Sequence, residues 1–400
     1  MRHKKLKIAL PYLSPGKGSG QGVFEETFAA RLDKRQVRSQ VFYPTNKELR
    51  KIPKIGGVLT MASLREHYDK LAKFDIIYCT DGTAISLLEG ELKKRIIPVY
   101  HCSAYTQWQK ITVNENKLPD IDNYRKYATE LHKLELTSPE VSSYSHEAIG
   151  LCSVQMARNA KNIIVVSENV KKELVELGAN PKKISVIENG IEKQWFEPVE
   201  KCRRCDEISK KWNGKPVVMW MGRVGSDRLN FKIKGIDRIL EVMSRLDNKK
   251  VHKVVIGLVP KAYEDSYRHL FEKRGIEFIA NCSYNHLPHL ARKGNIFLGT
   301  SRYEACQLSL LESMASGLAP VTYNIGVVPE AIVHGKNGYI VKNINEMLEK
   351  VNYLIEHPKK TQEIGLAAKE TAILKHQISD MVDKYLRVFK RAAKKNKLWS

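Results

Sequence analysis

The sequence lacks several features that would assign it to other classes of protein. No run of eighteen apolar residues occurs anywhere in the 400 residues, so no membrane-spanning helix is predicted. The apolar run after the basic N-terminus stops at Pro11, far too short for a signal peptide, and we expect a cytoplasmic chain. There is no internal repeat, low-complexity segment, RNA-binding signature or helix-turn-helix pattern, which weakens a nucleic-acid-binding class.

Cysteine is sparse, and the usual metal motifs are missing. The seven cysteines are unclustered and odd in number, which suits a reducing compartment. Cys202 and Cys205 form the only CxxC pair, whereas a zinc ribbon needs a second pair. We interpret this pair as part of a plain linker loop, with metal binding as the less favoured alternative. No Asp-x-Asp motif follows a predicted strand, so no metal and no other cofactor is expected.

Positive charge is abundant and unevenly distributed. The net charge is +23. Residues 1–200 contain 31 basic and 24 acidic residues, a surplus of +7, and residues 201–400 contain 36 and 20, a surplus of +16. Such a surplus indicates an anionic partner: nucleotide phosphates, an acidic membrane surface or nucleic acid. Charge alone does not choose among the three.

Short β-branched runs alternate with segments of helical period in both halves of the chain. This alternation predicts parallel sheets covered by helices on both faces, an α/β class. Two doubly wound, Rossmann-like domains would face each other across a cleft, and ligands bind at the carboxyl ends of such strands. The predicted strands are 7–13, 40–44, 75–80, 96–102, 162–167, 184–188, 216–222, 252–259, 276–280, 295–300, 319–323 and 338–341.

The polar stretch 192–213 marks the expected domain boundary. We predict a first domain over residues 1–195, a second domain over 196–375, and a final helix over 376–400. Residues 104–158 interrupt the alternation with a long, mixed excursion. It would either shape a binding face, to which Tyr105 and Trp108 would contribute, or form a helical hairpin that only packs on the sheet.

The strongest motif places two glutamates around the start of a helix. Glu304 follows the predicted strand 295–300, and Glu312 lies in the next helix with seven residues between them. A helix N-terminus offers backbone N–H groups to phosphates, and carboxylates beside it can accept hydrogen bonds from sugar and ribose hydroxyls. The spacing alone also fits two glutamates on a solvated helix face.

The sequence around these glutamates resembles that of the family 4 retaining glycosyltransferases, which have the GT-B fold. The run from Glu304 through "LLESMASGLAPV" is similar to the ExxxxxxxE signature of that family. Downstream, the stretch from Gly326 to Gly338 is similar to the family's "G-x-x-E-x-x-x-x-G-x-x-G" pattern. The resemblance implies that Glu304 orients the donor sugar and that Glu312 binds the ribose. Cys306, Gln307 and Leu308 would line the donor pocket, and Cys306-Gln307 departs from the usual Phe-Gly, so the sugar is not implied.

Other positions of the family pattern follow in order. Gly222 and Arg223 end the predicted strand 216–222, and Lys234 opens the next helix. The resemblance implies that Arg223 and Lys234 bind the donor diphosphate, as a guanidinium fork and a compact cation would. The ten residues between them form a longer loop than usual, so Lys232 is an alternative to Lys234. Asn189, in the family's Asn-Gly link, is given a structural role near the cleft and counts, with Gly222, among the candidate donor-binding residues.

The first half supplies weaker candidates. Gly18 and Gly20 belong to a glycine-rich loop after the first strand, similar to the family's flexible loop that faces the donor phosphates. His101 ends a predicted strand, and the resemblance implies that it contacts the donor sugar. Asp81, at the end of another strand, is a candidate acceptor contact, as are Tyr105 and Trp108. The resemblance implies that residues 1–195 form the acceptor-side domain and that residues 196–375 form the nucleotide-sugar-binding domain.

The predicted activity is therefore retaining transfer of a sugar from a UDP- or GDP-sugar to a glycan or lipid-linked glycan of the cell surface. The alternatives are a glycosyltransferase with a nucleic-acid acceptor and a nucleotide-sugar epimerase or phosphorylase of the same fold. The final segment 378–400 alternates apolar residues at helical spacing with many lysines and arginines. The resemblance implies that this last helix crosses back to the N-terminal domain. Such a helix is also compatible with peripheral contact to an anionic membrane at the inner face.

Overall fold

The computed structural model describes residues 5–12, 28–32, 37–46, 48–49, 52, 56–135, 139–197, 202–212, 214–225 and 227–396, with the backbone alone for 139–145. The chain divides into two compact units. Unit 1 consists of Met1–Val113, Glu140–Asn189 and Ser379–Ser400, and unit 2 of Asn114–Pro139 and Gly190–Ile378. The predicted glycine loop, with Gly18 and Gly20, lies outside the described residues.

The strands agree with the predicted ones to within two residues at each described end. They are β1 Lys7–Pro11, β2 Arg38–Phe42, β3 Ile76–Thr80, β4 Ile96–Tyr100, β5 Ile163–Val165, β6 Ile184–Val186, β7 Val217–Arg223, β8 His252–Leu258, β9 Glu277–Ala280, β10 Ile296–Gly299, β11 Ala319–Tyr323 and β12 Tyr339–Val341.

The helices that follow most strands are mainly short. They are α1 Gly56–Ser63, α2 Tyr68–Leu71, α3 Ala104–Trp108, α4 Ile121–Lys133, α5 Pro139–Asn159, α6 Glu168–Glu176, α7 Arg203–Lys210, α8 Arg228–Lys234, α9 Ile236–Ser244, α10 Glu264–Glu272, α11 Leu287–Ala291, α12 Leu308–Ala315, α13 Val328–Ala331, α14 Ile344–Glu356, α15 Pro358–Lys375 and α16 Ile378–Lys395. No helix of the described part of the chain is both long enough and apolar enough to cross a membrane.

Each unit contains one parallel sheet. The order in unit 1 is β2-β1-β3-β4-β5-β6, and the order in unit 2 is β12-β11-β10-β7-β8-β9. In unit 2 the chain winds outward from β7 in one direction and then from β10 in the other. The order therefore reverses between β7 and β10, and α/β sheets bind ligands at the carboxyl ends of strands at such a switch point.

Apolar side chains cover both faces of the unit 2 sheet. Along β7, Val218 and Trp220 join one buried cluster, whereas Val217, Met219 and Met221 join the other. Successive side chains of a strand point to opposite faces, so this alternation places a core on each side. Strands buried on both faces are continuous hydrophobic runs, which is why the sequence predicted them so closely.

The long excursion is divided between the two units. We predicted that all of residues 1–195 form one domain, but the segment Asn114–Pro139, here called the docked segment, groups with unit 2. Its helix α4 buries one apolar stripe, Ile121, Tyr124, Tyr127 and Leu131, in the same cluster as α9. The spacing of the stripe predicts an amphipathic helix but does not specify which sheet the helix covers.

The final helix α16 belongs to unit 1 over most of its length. Tyr385 packs against Phe28 and Tyr78, and Phe389 packs against Tyr78. The side-chain amide of Asn396 donates to the carbonyl of Lys94. The apolar face of α16 is therefore occupied within unit 1.

The link into unit 2 is paired with the chain that leaves it. The N–H of Ile191 donates to the carbonyl of His376 at 2.8 Å, and the N–H of Ile378 donates back to Ile191 at 3.2 Å. The division between the units falls after Asn189, not after residue 195 as predicted. The predicted linker loop also contains a helix, α7.

Candidate active site

Arg223 ends β7 at the switch point of unit 2. Its side chain is exposed, and Nη2 donates to Oδ1 of Asn230 at 3.0 Å. Asn230 is itself held by Asp227, the N-cap of α8, through its N–H at 2.7 Å and its side-chain amide at 2.6 Å. This arrangement fixes one edge of the guanidinium and leaves its other donors for a phosphate.

The ten residues between Arg223 and Lys234 are not the long loop that we predicted, because six of them, together with Lys234, form helix α8. Lys234 is the last residue of that helix, and Gly235 follows with φ +63°. A Cβ at Gly235 would clash with the carbonyl oxygen of Thr300, just after β10. The hydroxyl of Thr300 donates to the carbonyl of Lys234 at 2.9 Å. Glycine thus lets the end of α8 lie against the end of β10.

Glu304 lies in the turn after β10 and forms an ion pair with Lys234. The hydroxyl of Ser301 donates to the same carboxylate oxygen at 3.1 Å. Both members of the pair keep some exposure, 15% for Glu304 and 23% for Lys234, so an incoming ligand can reach them. Behind the turn, Gly326 (φ +51°) packs so closely that a Cβ would clash with the carbonyl of Glu304.

Gln307 is the N-cap of α12 and is only 5% exposed. Its buried Oε1 accepts no hydrogen bond from any residue that the structure describes. A buried amide oxygen is normally paired, so this one is available to a donor group on a ligand. Its neighbours Cys306 and Leu308 are partly buried and pack against the unit 2 core.

Glu312 is 8% exposed, so the solvated-face interpretation of this residue is wrong. The hydroxyl of Tyr284 donates to its Oε1 at 3.1 Å, and Nε1 of Trp195 donates to the Tyr284 hydroxyl at 3.1 Å. Burial raises the pKa of Glu312 to about 7, and the hydrogen bond from Tyr284 acts in the opposite direction. The carboxyl group is therefore balanced between its charged and neutral forms near neutral pH.

Lys232 lies apart from this group. It is 4% exposed, forms an ion pair with Glu115 of the docked segment, and stands 4.9 Å from the ring centroid of Tyr124. Because Lys232 is buried as well as paired with Glu115, its ammonium group is not available to a phosphate. Of the two lysines considered from sequence, the geometry favours Lys234.

Two further candidates, one in the link and one on β7, are packed among other residues of the protein. Asn189 is 4% exposed, and its Oδ1 is buried without a partner among the described residues. Gly222, directly before Arg223, packs beside the ring of Trp220.

In unit 1, two candidates follow neighbouring parallel strands. Asp81 comes after β3 with φ +46°, and the thiol of Cys102, beside His101, lies 3.9 Å from its Oδ2. Burial lowers the pKa of His101 to about 4, so its imidazole is neutral at pH 7. The register of β3 and β4 therefore brings Asp81 and the His101–Cys102 turn to the same sheet edge.

Tyr105 and Trp108 both lie on α3, with ring centroids 5.5 Å apart. The side-chain amide of Gln109 donates to the Tyr105 hydroxyl at 3.2 Å. The backbone of Tyr105 lies so close to Gly150 of α5 that a side chain there would collide with it. Both aromatics are half-buried, and their rings form one small apolar surface in unit 1.

Several residues of the unit 2 site were missed from sequence. Asn230 and Asp227 hold Arg223, and their three-residue spacing before a helix is a capping signal that could have been recognised. Tyr284 has no local signal, because its contact with Glu312 spans 28 positions. Arg302, between two recognised motif residues, forms a buried two-point ion pair with Asp237 at 2.7 Å for each contact.

Two doubly wound parallel sheets, with cations and carboxylates at the switch point of the second, define an α/β enzyme of the GT-B type. Residues 206–371 match the family model described as glycosyl transferases group 1, and residues 18–195 match the one described as glycosyltransferase family 4. Each half of the chain thus matches a glycosyltransferase family model, and the protein is a glycosyltransferase of the GT-B fold, as the sequence motifs indicated.

Relatives and solved structures agree with this assignment. Sulfoquinovosyl transferase SQD2 of Arabidopsis thaliana is 27% identical over 223 residues, 53% of this chain and 41% of that protein. The chain spans between 40% and 63% of the length of the first curated relatives it matches.

Two solved structures share the fold across nearly the whole chain. HepE from Anabaena, in complex with UDP-glucose, has a TM-score of 0.67 at 15% identity, covering 96% of this chain and 100% of that one. WaaG, a glycosyltransferase involved in lipopolysaccharide biosynthesis, has a TM-score of 0.68 at 14% identity, covering 96% and 99%. At these identities the likeness demonstrates the fold and nothing finer.

Proposed function

We propose that the protein transfers a sugar, with retention of anomeric configuration, from a nucleoside-diphosphate sugar to a glycan or lipid-linked glycan acceptor. The observation behind this proposal is the grouping of Arg223, Lys234 and Glu304 where the strand order of unit 2 reverses. Two cations suited to a diphosphate and a carboxylate suited to sugar hydroxyls lie there beside a helix N-terminus.

Each residue has a distinct part in this proposal. Arg223 and Lys234 bind the diphosphate and offset the charge that develops on it as it leaves, an electrostatic contribution to catalysis. Glu304 orients the donor sugar, and its ion pair with Lys234 opens when the diphosphate competes for the ammonium group. The unpaired oxygen of Gln307 accepts a hydrogen bond from the donor, and Glu312 accepts hydrogen bonds from the ribose.

The reaction proceeds on one face of the sugar. The bond between the anomeric carbon and the β-phosphate oxygen breaks, and a bond to the acceptor oxygen forms on the same side. The acceptor hydroxyl gives its proton to the departing phosphate oxygen, so that no protein base is required. We further propose that His101 of unit 1 takes part as a neutral hydrogen-bonding group, consistent with the low pKa that burial gives it.

The proposed substrates are supported by chemistry and by the relatives. The HepE structure contains UDP-glucose, which favours a UDP-sugar as the first donor to test. WaaG acts in lipopolysaccharide biosynthesis, which favours a glycan or glycolipid acceptor. The surplus of positive charge suits both an anionic donor and an acceptor at an anionic membrane surface.

A donor screen tests the proposal directly. We expect one UDP- or GDP-sugar to raise the melting temperature and to be hydrolysed slowly when no acceptor is present. Glu304→Gln should abolish turnover while the variant stays folded, and Glu370→Gln, an exposed carboxylate on α15, should behave like the wild type. Fast conversion of the donor without any acceptor would instead indicate an epimerase, and dependence on inorganic phosphate a phosphorylase.

A further inference from the structure

Two cysteines and a histidine from distant parts of the sequence meet in unit 2. Cys202 is the N-cap of α7, Cys205 lies in its first turn, and His286 directly precedes α11. The Sγ atoms of Cys202 and Cys205 are 2.9 Å apart, and one ligand atom from each of the three residues lies within 4.8 Å of the others. No other group of three histidine, cysteine or acidic side chains within the described ranges is as closely gathered.

Cys282 lies near this group. It is four positions before His286 and packs against the same apolar cluster as Cys202. The resulting ligand pattern is Cys-x2-Cys followed by Cys-x3-His. Pairs of ligands at these short spacings are typical of structural zinc sites.

We propose that Cys202, Cys205 and His286, with Cys282 as the fourth ligand, bind one structural zinc ion. Thiolate sulfur and imidazole nitrogen are the ligands that zinc prefers. Zn–S bonds of about 2.3 Å and Zn–N bonds of about 2.0 Å place tetrahedral ligand atoms roughly 3.5–3.8 Å apart. The observed spread within 4.8 Å reaches this geometry through small side-chain movements.

Such a site carries a net charge of −1. Each cysteine loses its proton to solvent when the ion binds. Two thiolates neutralise Zn²⁺, and the third leaves a single negative charge. The sequence contained both halves of the pattern, but only the fold brings Cys282 and His286 to the CxxC pair.

The zinc site also connects to the proposed donor site, and this part of the inference rests on the proposed function. Tyr284 lies between the ligands Cys282 and His286, and its hydroxyl donates to Glu312 at 3.1 Å. An ion that fixes residues 282–286 therefore fixes the donor of that hydrogen bond. Tyr284 is in this sense a positioning residue, acting on the ribose through Glu312.

The first experiment measures metal in the full chain after removal of any histidine tag. We expect about one zinc per chain by mass spectrometry, falling below about a tenth in Cys202→Ser/Cys205→Ser. Cys152→Ser, at a half-buried cysteine of unit 1, is the matched control and should keep its zinc. Wild-type protein reloaded with cobalt should show thiolate-to-metal charge-transfer absorption, which Cys282→Ser should reduce by roughly a third. The cobalt spectrum of the wild type does not depend on the variants folding.

The second experiment tests the connection to Glu312. Removing zinc should raise KM for the donor roughly 10-fold with less effect on kcat, and adding zinc should restore it. Tyr284→Phe should raise KM to a similar extent while retaining zinc, and a chelator should then have no additional effect on KM.

The outcomes separate the two proposals. Absence of stoichiometric zinc and of a cobalt–thiolate spectrum would overturn the metal site. So would an intact mass lower by two hydrogens with two thiols missing, which indicates a Cys202–Cys205 disulfide. Zinc binding with an unchanged donor KM on chelation would overturn the connection to Glu312. Zinc binding by a protein that turns over no sugar nucleotide would support the metal site and reject the proposed transferase.

Discussion

At the scale of single residues, Glu312 gives the proposed donor site a dependence on pH. Ribose hydroxyls donate to a carboxylate, so the donor should bind the ionised form of Glu312, whose pKa burial raises to about 7. We expect donor affinity to increase as pH rises through 7 and to fall on the acid side. The effect on stability has the opposite sign. The folded state holds this proton more tightly than the unfolded state, so the contribution of Glu312 to stability declines as pH rises toward 7.

Calorimetric titration with the intact sugar nucleotide measures this dependence, because a sugar diphosphate has no terminal phosphate that titrates in the same range. Glu312→Gln should bind more weakly and with a flat pH profile. Glu370→Gln should keep the wild-type profile, since this glutamate is exposed on α15. A wild-type affinity that is constant between about pH 6 and 8 would show that Glu312 does not meet the donor as an anion.

Lys234 gives a second prediction, which concerns the rate of catalysis. Replacing it by methionine keeps the length of the side chain but removes the charge opposite the departing diphosphate. Loss of one such electrostatic contact lowers kcat by about 100- to 1000-fold in other enzymes, and we expect a similar loss here. Steady-state kinetics measures it, with Lys359→Met, at an exposed position of α15, as the control. Equal activity in both variants would contradict the assignment.

At the scale of helices and strands, the sequence predicted what is determined locally. All the predicted strands are present, because buried parallel strands are continuous apolar runs. Ser167 was likewise predicted as the N-cap of helix α6, and its hydroxyl accepts a hydrogen bond from the N–H of Val170. Glu304 and Glu312 were found because their motif is contiguous. Contacts between distant positions, such as Tyr284 with Glu312, have no such pattern.

The docked segment also shows that local sequence does not specify which distant residues an element contacts. Its amphipathic stripe was recognisable, but its partners in unit 2 are far away in sequence. The carbonyls of Pro119 and Asp120 accept hydrogen bonds from Arg302 at 3.2 and 2.9 Å. Arg238 donates to the Pro119 carbonyl at 3.0 Å and also to the carbonyl of Thr300, at the end of β10. The docked segment therefore supports the elements that position Lys234 and Glu304.

The buried ion pair of Arg302 and Asp237 holds Arg302 in place beneath the docked segment. Both side chains are fully buried, so removing one charge leaves the other without compensation. We expect Arg302→Leu to lower the free energy of unfolding by about 3–5 kcal/mol, measured by urea denaturation. Arg125→Ala breaks an exposed pair with Asp122 and should cost less than about 1 kcal/mol.

Hydrogen exchange locates the effect of the Arg302 change. The amides of α4 should exchange faster in Arg302→Leu, because the carbonyls of Pro119 and Asp120 each lose the hydrogen bond from Arg302. Arg302→Leu/Asp237→Leu should recover part of the lost stability, since no unpaired charge remains. If Arg302→Leu and Arg125→Ala destabilised the protein equally, the docked segment would not depend on this pair.

At the scale of the whole molecule, the surplus of positive charge has one clearly exposed location. Along α16 the apolar side chains are buried in unit 1, and the exposed face is basic: Lys384, Arg387, Lys390, Arg391, Lys394 and Lys395. Because the apolar face is already occupied, this helix is not free to insert into lipid. Any attraction to an anionic membrane through α16 is then electrostatic, at about 1 kcal/mol for each cation near the surface.

Vesicle sedimentation distinguishes this mode from insertion. We expect binding to vesicles with anionic lipid, none to neutral vesicles, and release when the ionic strength approaches 1 M, where the Debye length is about 3 Å. Lys384→Glu/Arg387→Glu/Lys390→Glu should abolish binding but leave hydrolysis of the donor unchanged. Changing three exposed lysines of unit 2, Lys336, Lys342 and Lys359, to glutamate controls for net charge. Binding that survives high salt, or that both triple variants lose equally, would contradict a specific role for α16.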